Sequence, residues 1–369
     1  MATASWMERV DVEFVASELT GALGDSVTVL PIVVSLALLT DVSLPHVLLG
    51  FGLFQVVWGT WYGLPISVEP MKALAALAIA GVLSYPELVV VGVGIGAALL
   101  FVGSTGTLAR IEPYLSTPVI RGVQLAVAFL LLEAGADLAV ANPTMAAVGA
   151  VVALGVAVAG FRRGATLVVL GIGFAVAAAS AGLPTVRVPG VPPVSATAFS
   201  AVSLDDVLGA GAAQLAMTVG NAAVATSLLF DDLFEADVSA DDLASSMGVT
   251  NLLAPALGGI PMCHGSGGLA GKYAFGARTG LANGLLGVGY VALAFVVGGG
   301  FLVAFPMALL GVLLAVVAAQ LGHSAFETEN LVLTGIVGVL GLLTNVGAAL
   351  VVGIALDWGR RRWFSRTAV

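Results

Sequence analysis

Two short stretches of this chain set polar residue types into otherwise apolar surroundings, and both open on a proline. The first is PISVEPMKALAA (65–76), which carries Glu69 and Lys72 three residues apart. The second is PMCHGSGGLA (261–270), where His264, Gly265, Ser266 and Gly267 follow one another. In each, an extended, proline-marked run gives way to a helical pattern too brief to cross a bilayer. Irregular backbone at membrane depth is tolerated where it is buried in protein or lines a cavity. A half-helix that starts there exposes unpaired N–H groups and about half a positive charge. Two such ends facing one another would suit an anion. Ser266 adds a hydroxyl donor, and the glycines at 265, 267 and 268 would let a ligand approach backbone amides. Lys72 supplies a cation about one turn into the first half-helix. A cation inside the membrane costs about 2.5–3.5 kcal/mol on insertion scales and reads as functional by default. The alternative is a structural ion pair with Glu69, which shares its helical face.

Further polar groups lie in the apolar blocks that precede these stretches: Asp25 and Thr28 in one, Gln214, Thr218 and Asn221 in the other. The spacing of four and three puts Gln214, Thr218 and Asn221 on one helix face. They would line a substrate cavity or bond neighbouring helices. Asp25 and Glu69 are the candidates for proton coupling, because burial disfavours the charged carboxylate. A Glu69 permanently ionised against Lys72 would not serve. His46 and His323 read as structural. Cys263 and His264 form no nucleophilic dyad, because neighbours in an extended segment point to opposite faces. The run 265–270 and Gly271-Lys272 match dinucleotide and P-loop patterns only loosely: Tyr273 stands where a P-loop needs Ser or Thr, and no βαβ context surrounds it. The acidic run Asp231, Asp232, Glu235, Asp237, Asp241 and Asp242 reads as a solvated cytoplasmic loop without a ligand.

The elements that position these residues must be membrane helices. Of the 369 residues 59% are hydrophobic and 9% charged, and the mean hydropathy is +1.08. A soluble domain carries roughly a quarter charged residues, so a water-soluble fold is excluded. The 48 glycines suit a bundle in which helices approach closely. One cysteine and a net charge of −9 exclude an internal disulfide and a multi-cysteine metal site, and they point to no cofactor and no nucleic-acid partner. The first eighteen residues lack the pattern of a cleavable signal. No nucleophile–base pair emerges, so an enzyme is not expected.

Apolar blocks between Gly, Pro and charge punctuation predict fourteen spans, seven in each half. They fall near 19–40, 45–62, 69–84, 87–108, 119–138, 144–160 and 164–182, and near 205–229, 242–258, 266–277, 281–301, 304–321, 330–344 and 346–357. This divides the chain into a first repeat (1–182), an extracytoplasmic linker (183–204) and a second repeat with a basic tail (205–369). With both termini cytoplasmic, eleven of the thirteen basic residues fall at the inner side: Arg9, Arg110, Arg121, Arg162, Arg163, Lys272, Arg278, Arg360, Arg361, Arg362 and Arg366. That is the asymmetry expected of cytoplasmic loops. The halves also resemble each other. GALGDSVT (21–28) parallels GAAQLAMT (211–218), and GLPISVEPMKALA (63–75) parallels GIPMCHGSGGLA (259–270), with Pro65 matching Pro261. Seven spans per copy is odd, so the second copy enters the membrane inverted, an architecture that builds its site at the repeat interface.

At these segments the sequence resembles the molybdate-transporter branch of the sulfate permease superfamily. The matching pieces are GALGDSVTVLP from Gly21, PISVEPMKALAA from Pro65, RGVQLAV from Arg121, QLAMTVGNA from Gln214 and PMCHGSGGLAGKYAFGARTG from Pro261. The resemblance implies two inverted seven-span repeats. It also implies short strands before the third and tenth helices and a tetrahedral oxyanion between those helices' N-termini. By position it implies a site of Thr28, Glu69, Lys72, Gln214, Asn221, His264, Gly265 and Ser266. The family usually has glutamine where this chain has Glu69. The expected function is alternating-access uptake of molybdate, with sulfate or tungstate as relatives, coupled to protons or another ion. The expected setting is a homodimer in the plasma membrane. A nucleobase transporter of the same fold and a passive anion channel are the rival readings.

Overall fold

Apolar runs become helices wherever Gly, Pro and charge punctuate the sequence, and caps fix their ends. The computed structural model describes residues 12–111, 115–161, 164–191, 200, 202–297 and 300–367. Arg9, Arg162 and Arg163, used above for topology, lie outside the described residues, as does the side chain of Arg366.

The first half comprises α1 (Val12–Leu39), α2 (Leu44–Tyr62), strand β1 (Glu69–Pro70), α3 (Lys72–Ile79), α4 (Tyr85–Thr105), α5 (Thr117–Val140), α6 (Pro143–Phe161) and α7 (Ala165–Ala181). The second comprises α8 (Leu204–Phe234), α9 (Ala240–Leu253), strand β2 (Met262–Cys263), α10 (Ser266–Ala274), α11 (Leu281–Ala294), α12 (Met307–Ser324), α13 (Leu331–Leu343) and α14 (Val346–Thr367). Short helical turns at Leu108–Ile111, Ala254–Leu257 and Gly300–Val303 lie in connections. Among the described residues, α1, α4, α5, α6, α8 and α12 are each long and apolar enough to cross a membrane by length and composition. At eight and nine residues, α3 and α10 are not, which is the half-helix pattern expected.

Local chemistry sets the boundaries. Ser84 and Glu87 form a capping box at the start of α4, and Gly106 closes it with φ 63°, a conformation glycine adopts without strain. The acidic run is not a loop as expected. Asp231 and Asp232 end α8, Glu235 closes it at φ 52°, and Asp241 and Asp242 fill the first turn of α9 behind the Ser239 cap. Acids are favourable at that helix start, so only residues 235–239 connect.

The packing has two-fold symmetry. Helix α2 lies along α11 as α9 lies along α4, α1 meets α10 as α8 meets α3, and α5 faces α12 across the centre. Equivalent helices run in opposite directions. The Tyr62 hydroxyl, at the end of α2, donates to the Asp242 carbonyl and bonds Ser246 Oγ near the start of α9. Leu108, beyond the end of α4, donates to Asp241 Oδ1 at that same end of the bundle. At the opposite end Glu87 of α4 accepts from the Ser203 amide before α8, and Arg187 of the linker donates to the Phe295 carbonyl beyond α11. The fold is therefore an inverted repeat. Glu18 places the start of α1 at the α2-end, accepting from the amides of Arg278, Thr279 and Ala282 at the head of α11.

Candidate functional site

Strands β1 and β2 pair antiparallel, Glu69 opposite Cys263 and Pro70 opposite Met262, and Met71 N donates to the Pro261 carbonyl at 3.0 Å. This pairing seats the N-termini of α3 and α10 side by side. Their first amides fare differently. In α3 the Gln214 Oε1 of α8 accepts from Ala73 N at 2.9 Å and Leu74 N at 3.4 Å, so a protein side chain already fills that helix end. The N-cap of α10, Gly265, offers no side-chain cap.

A cavity of about 620 Å³ lies against this α10 end. Its polar lining is Thr28 of α1, Lys72 of α3, Asn221 of α8, Ser266 of α10, Arg121 and Gln124 of α5, and Gln320, Ser324 and Glu327, with the Gly267 backbone open to it; Met217, Leu229, Ala270, Val317 and Leu321 supply the apolar wall. Lys72 Nζ donates to Glu69 Oε1 at 2.6 Å. The other Glu69 oxygen, Oε2, is buried without a hydrogen-bond partner. Ser266 Oγ donates to Asn221 Oδ1 at 3.2 Å. Asn221 sits in a π-helical stretch of α8, Thr218–Val224, and such widened turns are frequent at functional sites. Thr28 Oγ1 donates to the Asp25 carbonyl at 3.3 Å.

The other sequence-expected residues lie behind this wall. His264 is buried, bonded through Nε2 to Ser246 Oγ at 2.8 Å and through Nδ1 to the Ser67 carbonyl at 2.9 Å. Gln214 spends its amide donor on Thr218 Oγ1 at 2.9 Å. Asp25 is buried in a closed network: its Oδ1 accepts from Ser67 Oγ at 2.8 Å, and its Oδ2 accepts from Gln55 Nε2 at 2.9 Å and faces Lys272 Nζ at 3.3 Å. Lys272 Nζ also donates to Gln55 Oε1, the Ile66 carbonyl and Asn283 Oδ1 at 2.7–3.0 Å. Lys272 was expected at the cytoplasmic edge, and the structure instead buries it completely. Burial without such partners would be prohibitive for a cation.

The glycines also divide by cause. A Cβ at Gly265 would land on the Glu69 carboxylate, and one at Gly268 on Ser67 Oγ and Asp25 Oδ1. Gly267 has open space and lines the cavity. Gly268→Ala is therefore expected to lower the thermal unfolding midpoint of the purified protein by several degrees, an overpacking cost of about 1–3 kcal/mol. Gly267→Ala should leave the midpoint unchanged and alter only ligand affinity; equal stability of the two variants would contradict this packing.

Arg121 and Gln124 did not enter the expected site, although RGVQLAV carries both. Arg121 read as an edge cation because its partner, Glu327, lies 206 residues away in sequence. A second cavity of about 660 Å³, between α5, α6 and α12, is walled by alanine, glycine and aliphatic side chains alone and offers an anion nothing.

The family model described as "Molybdate transporter of MFS superfamily" matches residues 17–131 and 206–321, thus parts of both repeats. The chain belongs to the molybdate-transporter family. Molybdate transporter 2 of Arabidopsis thaliana is 28% identical over 402 residues, covering 92% of this chain and 85% of its own length. Molybdate transporter 1 of the same organism is 30% identical over 369 residues, covering 85% and 80%. Among solved structures, the transmembrane domain of a cyanobacterium bicarbonate transporter, BicA, superposes with a TM-score of 0.65 at 14% identity, covering 91% of this chain and 96% of its own. This family member is a multi-pass membrane protein. The superfamily named in the family description is not the one its architecture follows. Major facilitator halves are parallel repeats, whereas these two halves are antiparallel.

Proposed function

We propose that this chain is a secondary transporter that carries molybdate by alternating access, with the anion bound in the polar cavity at the N-terminus of α10. The observation that carries this reading is that Lys72, Ser266 and the open backbone at Gly267 all face one cavity. A helix N-terminus with free amides, a hydroxyl and an ammonium is a fitting set for a tetrahedral oxyanion. Thr28 and Asn221 complete its walls, while Gln214, His264 and Gly265 hold the frame.

Glu69 is the proton-coupling group. Asp25 has every oxygen engaged, whereas Glu69 keeps Oε2 unpaired. A dianion arriving beside an ionised Glu69 meets an opposing charge, and a proton on Glu69 removes that charge and frees Lys72. Transport is then an anion–proton symport.

The cavity mouth, marked by the exposed Glu327, lies at the bundle end where α1 starts and α14 finishes. With both termini cytoplasmic in the plasma membrane, this is an inward-facing state. Removing Lys272 from the eleven inner basic residues leaves ten, which still favours that orientation. The repeats divide at the 183–204 segment, and the protein works as a homodimer.

Equilibrium binding of molybdate to the purified protein, with sulfate, tungstate, phosphate and uracil as competitors, tests the reading. Molybdate binding displaced by tungstate or sulfate and untouched by uracil is expected. Uracil binding without any response to molybdate would overturn the oxyanion site and make Glu69 the centre of a nucleobase site.

A further inference from the structure

The cavity holds two cations, and their carboxylate partners differ in exposure. Lys72 is paired with Glu69, whose side chain is 2% exposed; Arg121 is paired with Glu327, whose side chain is 62% exposed. Glu327 belongs to the connection between α12 and α13. It takes Arg121 Nη2 on its Oε2 at 3.0 Å and Arg121 Nε on its backbone carbonyl at 3.3 Å. Arg121 Nη1 donates to Gln124 Oε1 at 2.9 Å. The planar guanidinium fork matches carboxylates and other oxyanions alike. The Glu327 carboxylate therefore stands where a mobile oxyanion would stand.

We propose that Arg121, with Gln124, Gln320 and Ser324, forms a second oxyanion-binding point at the cavity mouth, and that Glu327 is its resident, displaceable ligand. The proposal rests on the oxyanion reading of the cavity given above. Water competes for both members of an exposed ion pair, so its net strength is small. An arriving dianion can exchange with the Glu327 carboxylate and then pass inward to Lys72 and Ser266. The Glu69 carboxylate, buried from water, does not exchange this way. The charge balance explains the arrangement. With Glu327 in place the two cations are matched by two carboxylates and the cavity attracts no anion from a distance. With Glu327 displaced, the mouth carries a free positive charge that steers anions. Because the same contact ties the α12–α13 connection to α5, an anion at Arg121 also releases that tie.

Molybdate and sulfate binding to the full chain, at equilibrium and by stopped flow over a range of salt concentrations, tests the proposal. Glu327→Gln is expected to speed anion association and tighten binding by about fivefold, with a steeper salt dependence, as removal of a rim charge does. Arg121→Gln should slow association by about tenfold and abolish the gain when combined with Glu327→Gln. Glu327 is exposed, so its variant should fold normally. If wild type binds oxyanions while Glu327→Gln and Arg121→Gln both match it in rate, affinity and salt response, the second binding point is wrong and the cavity reading stands. If no oxyanion binds wild type or either variant, the cavity reading falls and this inference with it.

Discussion

Lys272→Met is expected to be the most damaging single substitution in the protein, lowering stability by about 3–5 kcal/mol, the usual cost of stripping one partner from a buried ion pair. Lys272 and Asp25 are both fully buried. Losing the ammonium leaves Asp25 as an uncompensated charge and takes a donor from three acceptors, on Gln55, Ile66 and Asn283; Gln55 Oε1 and the Ile66 carbonyl keep the Asn283 amide, whereas Asn283 Oδ1 loses its donor. Those acceptors belong to α2, to the segment before β1 and to α11, while Asp25 lies on α1 and Lys272 on α10. One side chain thus joins both repeats at the level of the paired strands. The double variant Asp25→Asn with Lys272→Met should recover part of the loss, because the stranded charge is gone while Asn283 Oδ1 remains unpaired. Thermal unfolding of the purified variants reads this directly. A Lys272→Met protein as stable as wild type would show that the network is not a stabilising junction.

Lys272 also shows where the sequence was legible and where it was not. Helices were readable because in a membrane each must be apolar along its length and must stop at Gly, Pro or charge. The block 144–160 became Pro143–Phe161, and 45–62 became Leu44–Tyr62. The half-helices were readable from their prolines and glycines. Many side-chain partners were not, because they are supplied by the other repeat. Near Gly271, Tyr273 and Arg278, Lys272 looks like a loop cation until Gln55 and Asn283 close around it. Gln214 shares a face with Thr218, as the spacing suggested, but that face turns into the α3 amides rather than into the cavity. His264 stands in the most distinctive motif of the chain, yet Ser246 and Ser67 claim both ring nitrogens. Glu18 and Arg121 carry no local sign of what they hold. Their partners lie in the opposite repeat, at Arg278 and Glu327.

Lys72 and Glu69 give the second large effect, on binding rather than on folding. Lys72→Met should weaken molybdate binding about tenfold to a hundredfold, the worth of one charge-assisted hydrogen bond of about 1.5–3 kcal/mol. The substitution also leaves Glu69 buried and alone, so its fold is best judged beside the double variant Glu69→Gln with Lys72→Met, which removes that charge. The double variant should fold well and bind as weakly as Lys72→Met. Glu69→Gln alone keeps the cation and removes its competitor for the anion. It should bind at least as tightly as wild type at neutral pH. The sign of the pH response follows. Protonation of Glu69 makes the site more positive, so wild-type binding should strengthen as pH falls through the range in which Glu69 takes up its proton, and binding should take up protons. Glu69→Gln has no such proton to take up, and its affinity should be nearly flat over that range. Parallel pH profiles for wild type and Glu69→Gln would remove Glu69 from the coupling, and unchanged affinity in Lys72→Met would reduce Lys72 to the partner of a buried acid. Both outcomes together would move the anion to Ser266 and Arg121, leaving the α10 terminus as the deep part of the site.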